Sequence, residues 1–369
     1  QAPHAVTEMG KAISQYPVEP RLGKLLVCAK QTNVLEYAIA VAAALTVREP
    51  FFGQSTEESP RGDVIRLLKL YGAYTYEKNK EQFCKERNLR IKAMEEIDTI
   101  REQLRKIIIK SNGGLLPQIS RFEPFNDNQE IVICQCIFSA FCDHVARRDD
   151  KGKLYTTADG KHADLQGNSS LFKSRPLYIC YTDFDNTNDR NKLLNVTKIS
   201  STWIPLIGSK VYLNQKEIGP AEYRKCDDLV VGRVEATFGN ENWKLPEVYI
   251  PHPEPYRAFA AALLDGIVIQ ELSYFSNKLA ARTEDLRTGK NLPPRLLQIY
   301  NVLRKAHISS KKSLQELWKT QPMFLLTEYL YWLPNKNDQV SLQKHWPYIE
   351  TSTQQQQQDF DSDSDSDSY

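Results

Sequence analysis

The residues of this sequence best suited to binding a ligand are basic side chains that stand close to aromatic ones. Arg147 and Arg148 stand just ahead of Lys153 and Tyr155. Cations neutralise phosphates and aromatic rings stack on bases, so this combination suits a nucleic-acid strand that is recognised by its backbone and shape. The full set of predicted contact residues is Arg147, Arg148, Lys92, Lys173, Arg175, Tyr155 and Ser169.

Ion pairing within the protein surface is the alternative role for several of these cations. Lys92 shares a predicted helix with several arginines, and acidic residues stand between them. Such a mixture is as typical of a solvated, salt-bridged helix as of a track for a polyanion. Asp149 and Asp150 weaken the case for the neighbouring arginines in the same way.

Motifs for catalysis are missing from the sequence. A P-loop needs a glycine five residues before its Gly-Lys pair and a Ser or Thr after it, and no Gly-Lys pair here has either. The histidines form no H-E-x-x-H, and the H-x-E at His252 lacks the P-C-x-x-C of a deaminase zinc site. We therefore expect no catalytic site, cofactor or metal in this chain.

Charge and cysteine content restrict the class of protein. The formal net charge of +2 becomes +7 without the five aspartates of the last eleven residues, which favours a polyanionic partner. Seven cysteines without a secretory leader predict a reducing compartment. We expect Cys134, Cys136 and Cys142 to be buried thiols, since a zinc site would need a fourth ligand. No apolar run approaches the ~20 residues of a membrane-spanning helix.

Changes in residue pattern divide the chain into five parts. We predict the end of a preceding domain at 1–20, a helical domain at 21–148 and a small β-barrel at 149–213. A mixed, mostly helical domain follows at 214–349, and a disordered Gln and Asp-Ser tail occupies 350–369. The predicted fold class is therefore α+β and multidomain.

Apolar spacing gives the predicted elements of each part. The segment from Thr7 to Ile13 is expected to be strand-like. Pro17 and Pro20 bias Tyr16 and Glu19 towards an extended backbone, so the first long helix is expected to begin after Pro20. The predicted helices are 34–47, 63–76, 80–110, 128–148, 256–283, 294–306 and 314–333. The predicted strands are 153–158, 170–172, 177–183, 194–199, 211–213, 230–238 and 245–250.

Aromatic residues near the end of the chain have two possible roles. Phe324, Tyr329, Tyr331 and Trp332 are expected to form part of a core, and the alternative is a docking surface for a partner. Beyond Pro334 the chain becomes polar, and no further element is predicted there.

Several motifs occur in the order in which one known family has them. They are Gly62-Asp63 with Leu67-Leu68, Cys84 with Leu89 and Arg101-x-Gln103-Leu104, His144-Val145-Ala146-Arg147-Arg148, Tyr155-x-Thr157, Ser169-x-Leu171-Phe172, Asn195-Val196-Thr197 and Trp203-Ile204. Over residues 4–210 the sequence resembles DEAH/RHA-type RNA helicases. The resemblance implies the end of a winged-helix domain, a helical ratchet (HA2) domain and an OB-fold in the first three predicted parts.

A second resemblance covers the fourth part. Motifs at 236–246 and 256–266 are similar to the extra C-terminal domain of one subgroup, the nucleolar DEAH helicase of small-subunit ribosome biogenesis. The resemblance implies a parent ATP-dependent helicase in the nucleus and nucleolus, whose motor lobes, missing here, hold ATP and magnesium. It also implies pre-ribosomal RNA, small nucleolar RNA and an activating protein as partners, and no membrane.

Two functions follow from these expectations. The first is an accessory RNA-binding and regulatory region that holds single-stranded or structured RNA for the motor. The alternative is a protein-interaction module that docks an activating partner of the helicase, with incidental RNA contact.

Overall fold

The structure is a computed structural model that describes residues 7–53, 58–111, 122–187, 191–289 and 292–348. The chain divides into two compact units. Unit 1 consists of Gln1–Gln215 and Ala236–Pro246, and unit 2 consists of Lys216–Glu235 and Glu247–Tyr369. The predicted disordered tail lies outside the described residues.

Unit 1 begins with a helical domain. Its helices are α1 (Glu8–Ile13), α2 (Pro20–Gln31), α3 (Leu35–Thr46), α4 (Asp63–Tyr76), α5 (Lys80–Glu86), α6 (Ile91–Ser111) and α7 (Asp127–Ala140). Helix α3 is apolar nearly all round and is buried against α2, α4 and α6, as expected of a helix at the centre of a bundle. The predicted helices at 34–47 and 63–76 are confirmed.

The first helical turns differ from the prediction. The segment after Thr7 is helix α1 and not a strand, because the Thr7 side chain accepts the N–H of Gly10 and caps the helix. Helix α2 begins at Pro20 rather than after it. Proline suits the first turn, where its missing N–H has no intrahelical partner to lose.

Four of the long predicted helices are broken or shorter in the structure. The helix predicted at 256–283 is divided into Tyr256–Leu264 and Gln270–Lys278, and the helix predicted at 314–333 is divided into Lys311–Thr320 and Leu326–Leu330. The helix predicted at 80–110 is broken between α5 and α6, where Asn88 has a left-handed φ of 52° and Leu89 pairs with Phe51. The helix predicted at 128–148 ends at Ala140. Residues 145–148 form a strand instead, since their backbone pairs with two distant strands, which local spacing does not reveal.

The second part of unit 1 is a curled sheet with a small apolar core, as predicted for an OB-fold. Its strands are β1 (Val145–Arg148), β2 (Tyr155–Thr157), β3 (His162–Leu165), β4 (Tyr178–Cys180), β5 (Asp183–Asp185), β6 (Lys192–Leu194) and β7 (Thr197–Lys198), followed by helix α8 (Ile204–Ile207). The order is β5-β6-β3-β2-β1-β4-β7, and only the β3–β6 pair is parallel among the described pairs. The strand predicted at 170–172 is a turn.

A second set of strands follows, and β10 is its centre. These strands are β8 (Leu213–Glu217), β9 (Glu222–Arg224), β10 (Leu229–Phe238), β11 (Trp243–Lys244) and β12 (Val248–Pro251). Residues 229–234 of β10 pair with β9 and β12 within unit 2, whereas 237–238 pair with β11 within unit 1.

Unit 2 is otherwise helical. It contains α9 (Tyr256–Leu264), a 3-10 helix (Gln270–Lys278), α10 (Thr283–Thr288), α11 (Gln298–Ala306), α12 (Lys311–Thr320), α13 (Leu326–Leu330) and α14 (Lys336–His345). Tyr329 and Trp332 are fully buried, and Phe324 and Tyr331 pack against the same core. The core role predicted for these aromatics is confirmed. Helix α14 was not predicted, because the sequence beyond Pro334 is polar. It packs on the core through its one buried residue, Leu342.

Candidate nucleic-acid interface

Strand β1 positions the two arginines of the predicted surface. It lies between β2 and β4, where Arg147 stands opposite Thr156 and Tyr178. The Arg147 side chain is about one-third exposed, lies 3.5 Å from the Asp150 carboxylate and also contacts the Tyr178 hydroxyl. Asp150 is itself almost fully exposed, so the pair is weak. Arg147 can therefore exchange Asp150 for a phosphate at little cost.

Arg148 belongs to a loop rather than to the open surface. Its guanidinium donates to the carbonyl oxygen of Arg175 at 2.6 Å, and its backbone N–H donates to the carbonyl of Leu177. These bonds fix the end of the loop at 166–177, which joins β3 to β4. Arg148 thereby places the residues that follow Ser169 beside β1.

Two of the predicted contact residues are buried and cannot touch RNA. Tyr155 is inaccessible to solvent and donates its hydroxyl to the Pro176 carbonyl at 2.8 Å. Burial also raises the pKa of this phenol. Ser169 is buried too, and its hydroxyl donates to Asp63. The prediction is wrong for both, because strand pairing and the domain junction turn these side chains inward.

Lys173 and Arg175 differ in how freely they could meet a phosphate. Lys173 is exposed and pairs with Glu58 at 2.8 Å, which raises the pKa of the lysine. Since both side chains are open to water, this pair is easily exchanged. Arg175 is mostly covered: it pairs with Asp164 at 2.9 Å and lies over the Phe172 ring. Arg175 thus mainly shapes the loop, while Lys173 can contact a strand.

Lys92 lies at a groove in the helical domain. It is exposed at the start of α6 and forms no ion pair within the described part of the chain. The groove has a volume of about 690 Å³. Its other lining residues combine cations, two carboxylates and apolar surface; they are Val47, Arg48, Phe52, Glu81, Cys84, Lys85, Leu89, Arg90, Ile91, Ala93 and Glu96.

A chain of contacts links this groove to the loop at 166–177. Leu89 pairs with Phe51, and the Phe51 ring lies 4.5 Å from the Arg66 guanidinium. Arg66 in turn donates to the Asn168 carbonyl at 2.9 Å. Thus the structure connects the groove that Lys92 lines with the loop that Arg148 holds, through contacts between residues far apart in the sequence.

A buried carboxylate secures the junction of the helical domain and the OB-fold. Asp63, at the start of α4, accepts hydrogen bonds from the Ser169 hydroxyl, from both the N–H and the hydroxyl of Ser170, and from the Val196 N–H. Arg66 lies 3.5 Å away as its counter-ion. The adjacent Gly62 pairs with Thr197, so α4 begins directly on strand β7. We call this set of contacts the α4–β7 junction.

A second ion pair fixes the chain just before β1. Arg21 of α2 donates to both carboxylate oxygens of Asp143, at 2.6 and 2.8 Å. The Arg21 guanidinium lowers the Asp143 pKa from 3.8 to about 2. The next residue, His144, stacks on Tyr181, and burial lowers its pKa, so it is neutral near pH 7. It adds no positive charge to the surface.

The Arg21–Asp143 pair should make stability depend on pH. Since the folded-state pKa lies below the unfolded value, the pair stabilises fully above about pH 4 and loses its effect as the pH falls through about 2. Asp143→Asn should cost about 1 kcal/mol at pH 7, allowing for solvent screening of a partly exposed pair. Denaturant unfolding of both proteins at a series of pH values measures the difference, and a gap independent of pH would contradict this assignment.

Comparisons with known proteins agree with this architecture. The ratchet-like helicase-associated domain (HA2) matches residues 19–99, the oligonucleotide/oligosaccharide-binding (OB) fold matches 133–212, and the DEAH helicase DHX37 C-terminal domain matches 272–350. No helix in the described ranges is both long and apolar enough to span a membrane.

The chain is also similar to three longer proteins. It is 28% identical to the putative ATP-dependent RNA helicase rha-2 of Caenorhabditis elegans, over 94% of this chain and 34% of that protein. It is 28% identical to the probable ATP-dependent RNA helicase DHX37 of Homo sapiens, over 93% and 33%. It is 28% identical to the probable ATP-dependent RNA helicase kurz of Drosophila melanogaster, over 89% and 32%. The chain therefore spans about a third of these relatives, and its HA2, OB-fold and DHX37-type domains are those of the C-terminal region of DEAH/RHA-type RNA helicases.

Proposed function

We propose that this chain is the accessory region of an ATP-dependent DEAH-box RNA helicase and that unit 1 holds RNA for the motor lobes of its parent. The observation that carries the proposal is the connected chain of contacts from the groove at Lys92 to the loop beside Arg147. It brings cations of the helical domain and of the OB-fold into one compact unit. ATP and magnesium would be bound by the motor lobes.

The RNA contact would be to the backbone rather than to base edges. Arg147, Lys173 and Lys92 are exposed or half-buried cations, and lysine in particular acts on phosphates as a point charge. Tyr155 is buried and offers no stacking surface, whereas Phe52, which lines the groove, is 44% exposed. Single-stranded RNA would fit these groups best, with its phosphates on the cations and a base stacked on Phe52 in the groove.

The relatives suggest a finer role. We propose that the parent remodels pre-ribosomal RNA or small nucleolar RNA during small-subunit biogenesis, in the nucleus and nucleolus. Support comes from the match of residues 272–350 to the DHX37 C-terminal domain. Sequencing of RNA crosslinked to the full-length parent tests this role, and crosslinks confined to messenger RNA would oppose it.

The salt dependence of RNA binding tests the role of unit 1. Lys92→Glu with Arg147→Glu should weaken binding of labelled oligouridine on the order of tenfold at low salt. It should also reduce the slope of log affinity against log salt by about 1 for each cation. A control pair with the same charge change, Lys106→Glu with Lys210→Glu, replaces exposed lysines outside the surface and should change neither. An equal loss of oligouridine affinity in the test variant and in the control variant would argue against a defined RNA-binding surface.

A protein-docking module is the second candidate function. Unit 2 exposes large apolar side chains, with Tyr274 62%, Met323 69% and Val340 51% exposed. Such residues can bury against an activating protein of the helicase. A flat salt response of RNA binding, together with loss of activator binding in Tyr274→Ser or Met323→Ser, would favour this function over the first.

A further inference from the structure

Two turns of unit 2 present lysines that form no ion pair within the described residues. One turn joins β9 to β10 and carries Lys225. The other joins α11 to α12, between Lys305 in the last turn of α11 and Lys312 in the first turn of α12. All three lysines are exposed.

Asp228 holds the two turns together. Its carboxylate accepts the backbone N–H groups of Lys311 and Lys312, with the bond to Lys312 at 2.9 Å. It also accepts the Tyr223 hydroxyl at 2.7 Å. Because one side chain of the β9–β10 turn caps α12, Lys225 and Lys312 are fixed on the same part of the surface.

The start of α12 is an unusual place for lysines. The helix dipole is positive there and favours acidic side chains, yet the first turn contains Lys311 and Lys312 and no acid. The carboxylate that accepts the first N–H groups of α12 belongs instead to Asp228, in the turn between β9 and β10. The backbone N–H groups of Lys311 and Lys312 are thereby occupied, while the charge of the exposed Lys312 side chain remains to attract an outside anion.

Two nearby acids are engaged in ion pairs with arginines. Asp227 pairs with Arg224 at 3.1 Å, and Glu254 pairs with Arg304 at 3.2 Å. Asp228 is taken up by the cap. Glu316, one helical turn after Lys312, forms no ion pair with it among the described contacts. Lys225, Lys305 and Lys312 are therefore left without an ion-pair partner among the described residues.

We propose that Lys225, Lys305 and Lys312 form a second RNA-binding surface, which holds a phosphate backbone. Point charges on two rigid turns suit phosphates, which repeat along a strand and need no shaped pocket. This surface lies in unit 2, and so it is additional to the RNA contact proposed for unit 1. It would give the helicase a second hold on a long RNA.

Fluorescence anisotropy of the full chain with labelled oligouridine tests the proposal. Lys305→Glu with Lys312→Glu should weaken binding on the order of tenfold at low salt and reduce the salt slope by about 1 per lysine. The helix dipole favours glutamate at the start of α12 and opposes it in the last turn of α11, so the two effects should offset and leave the thermal unfolding curve nearly unchanged. The control, Lys319→Glu with Lys336→Glu, replaces exposed lysines of the same unit and should bind like the unsubstituted chain.

The two proposals can fail separately. If the unit 2 pair weakens binding and the Lys92 and Arg147 pair does not, the role of unit 1 is wrong and this surface stands. Unchanged oligouridine affinity in the unit 2 pair overturns the second surface. In that case, a loss of affinity for polyglutamate would show that the lysines bind an acidic protein segment instead.

Discussion

Gly62→Ala should destabilise unit 1 by about 3 to 5 kcal/mol. Gly62 has a φ of 121°, which residues with a Cβ adopt only under strain. A Cβ at this position would also overlap two backbone atoms of the neighbouring segment, the Val196 carbonyl oxygen and the Thr197 Cα. Neither atom belongs to a flexible side chain, so α4 and β7 would have to move apart.

Denaturant unfolding measures the loss of stability of unit 1, and hydrogen exchange of the α4 amides shows whether the loss is centred on this helix. Two controls separate strain from crowding. At Gly152 φ is 72° with nothing within 4 Å of a Cβ, so Gly152→Ala isolates the left-handed conformation; Gly167 lacks both features, so Gly167→Ala should be nearly neutral. If Gly62→Ala costs no more than Gly152→Ala, the close approach at the α4–β7 junction is wrong.

Asp63→Ala should cost a comparable 3 to 5 kcal/mol, for an electrostatic reason. The substitution leaves the guanidinium of Arg66, which is 5% exposed, without its counter-ion. It also removes the acceptor of the donors from Ser169, Ser170 and Val196. A buried charge that loses its partner, and buried donors without acceptors, are among the most costly single changes in a protein.

The same substitution should weaken RNA binding although it removes no positive charge. Asp63 holds the beginning of the loop at 166–177, and this loop carries Lys173 and supports Arg148. We expect a several-fold loss of oligouridine affinity with an unchanged salt slope, because the cations remain but are less well placed. Asp63→Asn, which keeps one acceptor oxygen, should lose less on both measurements. Full RNA affinity in a folded Asp63→Ala protein would show that the junction does not position the surface.

These two predictions assign a single role to the α4–β7 junction. It joins the first turn of α4 in the helical domain to the last strand of the OB-fold and to the loop between β3 and β4. Rigid contact of this kind keeps binding groups from two domains in register, which reduces the ordering cost when a strand binds. The motifs at Gly62-Asp63 and at Asn195-Val196-Thr197, far apart in sequence, are the two sides of this one contact.

The spacing of apolar residues was sufficient to predict those helices whose buried faces follow from the sequence alone. Helix α3 is apolar nearly all round, and α4 has its apolar residues at helical intervals, so both were predicted within a residue or two of their ends. The order of helical domain, barrel and mixed domain likewise followed from changes in pattern and from the family resemblance. Arg147, Lys173 and Lys92, which were predicted as RNA contacts from their positive charge, lie on accessible surface.

The tertiary structure decided which way side chains face where the chain pairs with distant segments. The segment Val145–Arg148 has the apolar content of a helix end, yet it forms a strand because β2 and β4 supply its hydrogen bonds. Tyr155 and Ser169 looked like contact residues and are buried, since burial of a short strand or loop depends on what packs against it. Asp63 and Asp228 gained their roles in the same way: each carboxylate accepts N–H groups at least 83 positions away in the chain, a relation that no local pattern contains.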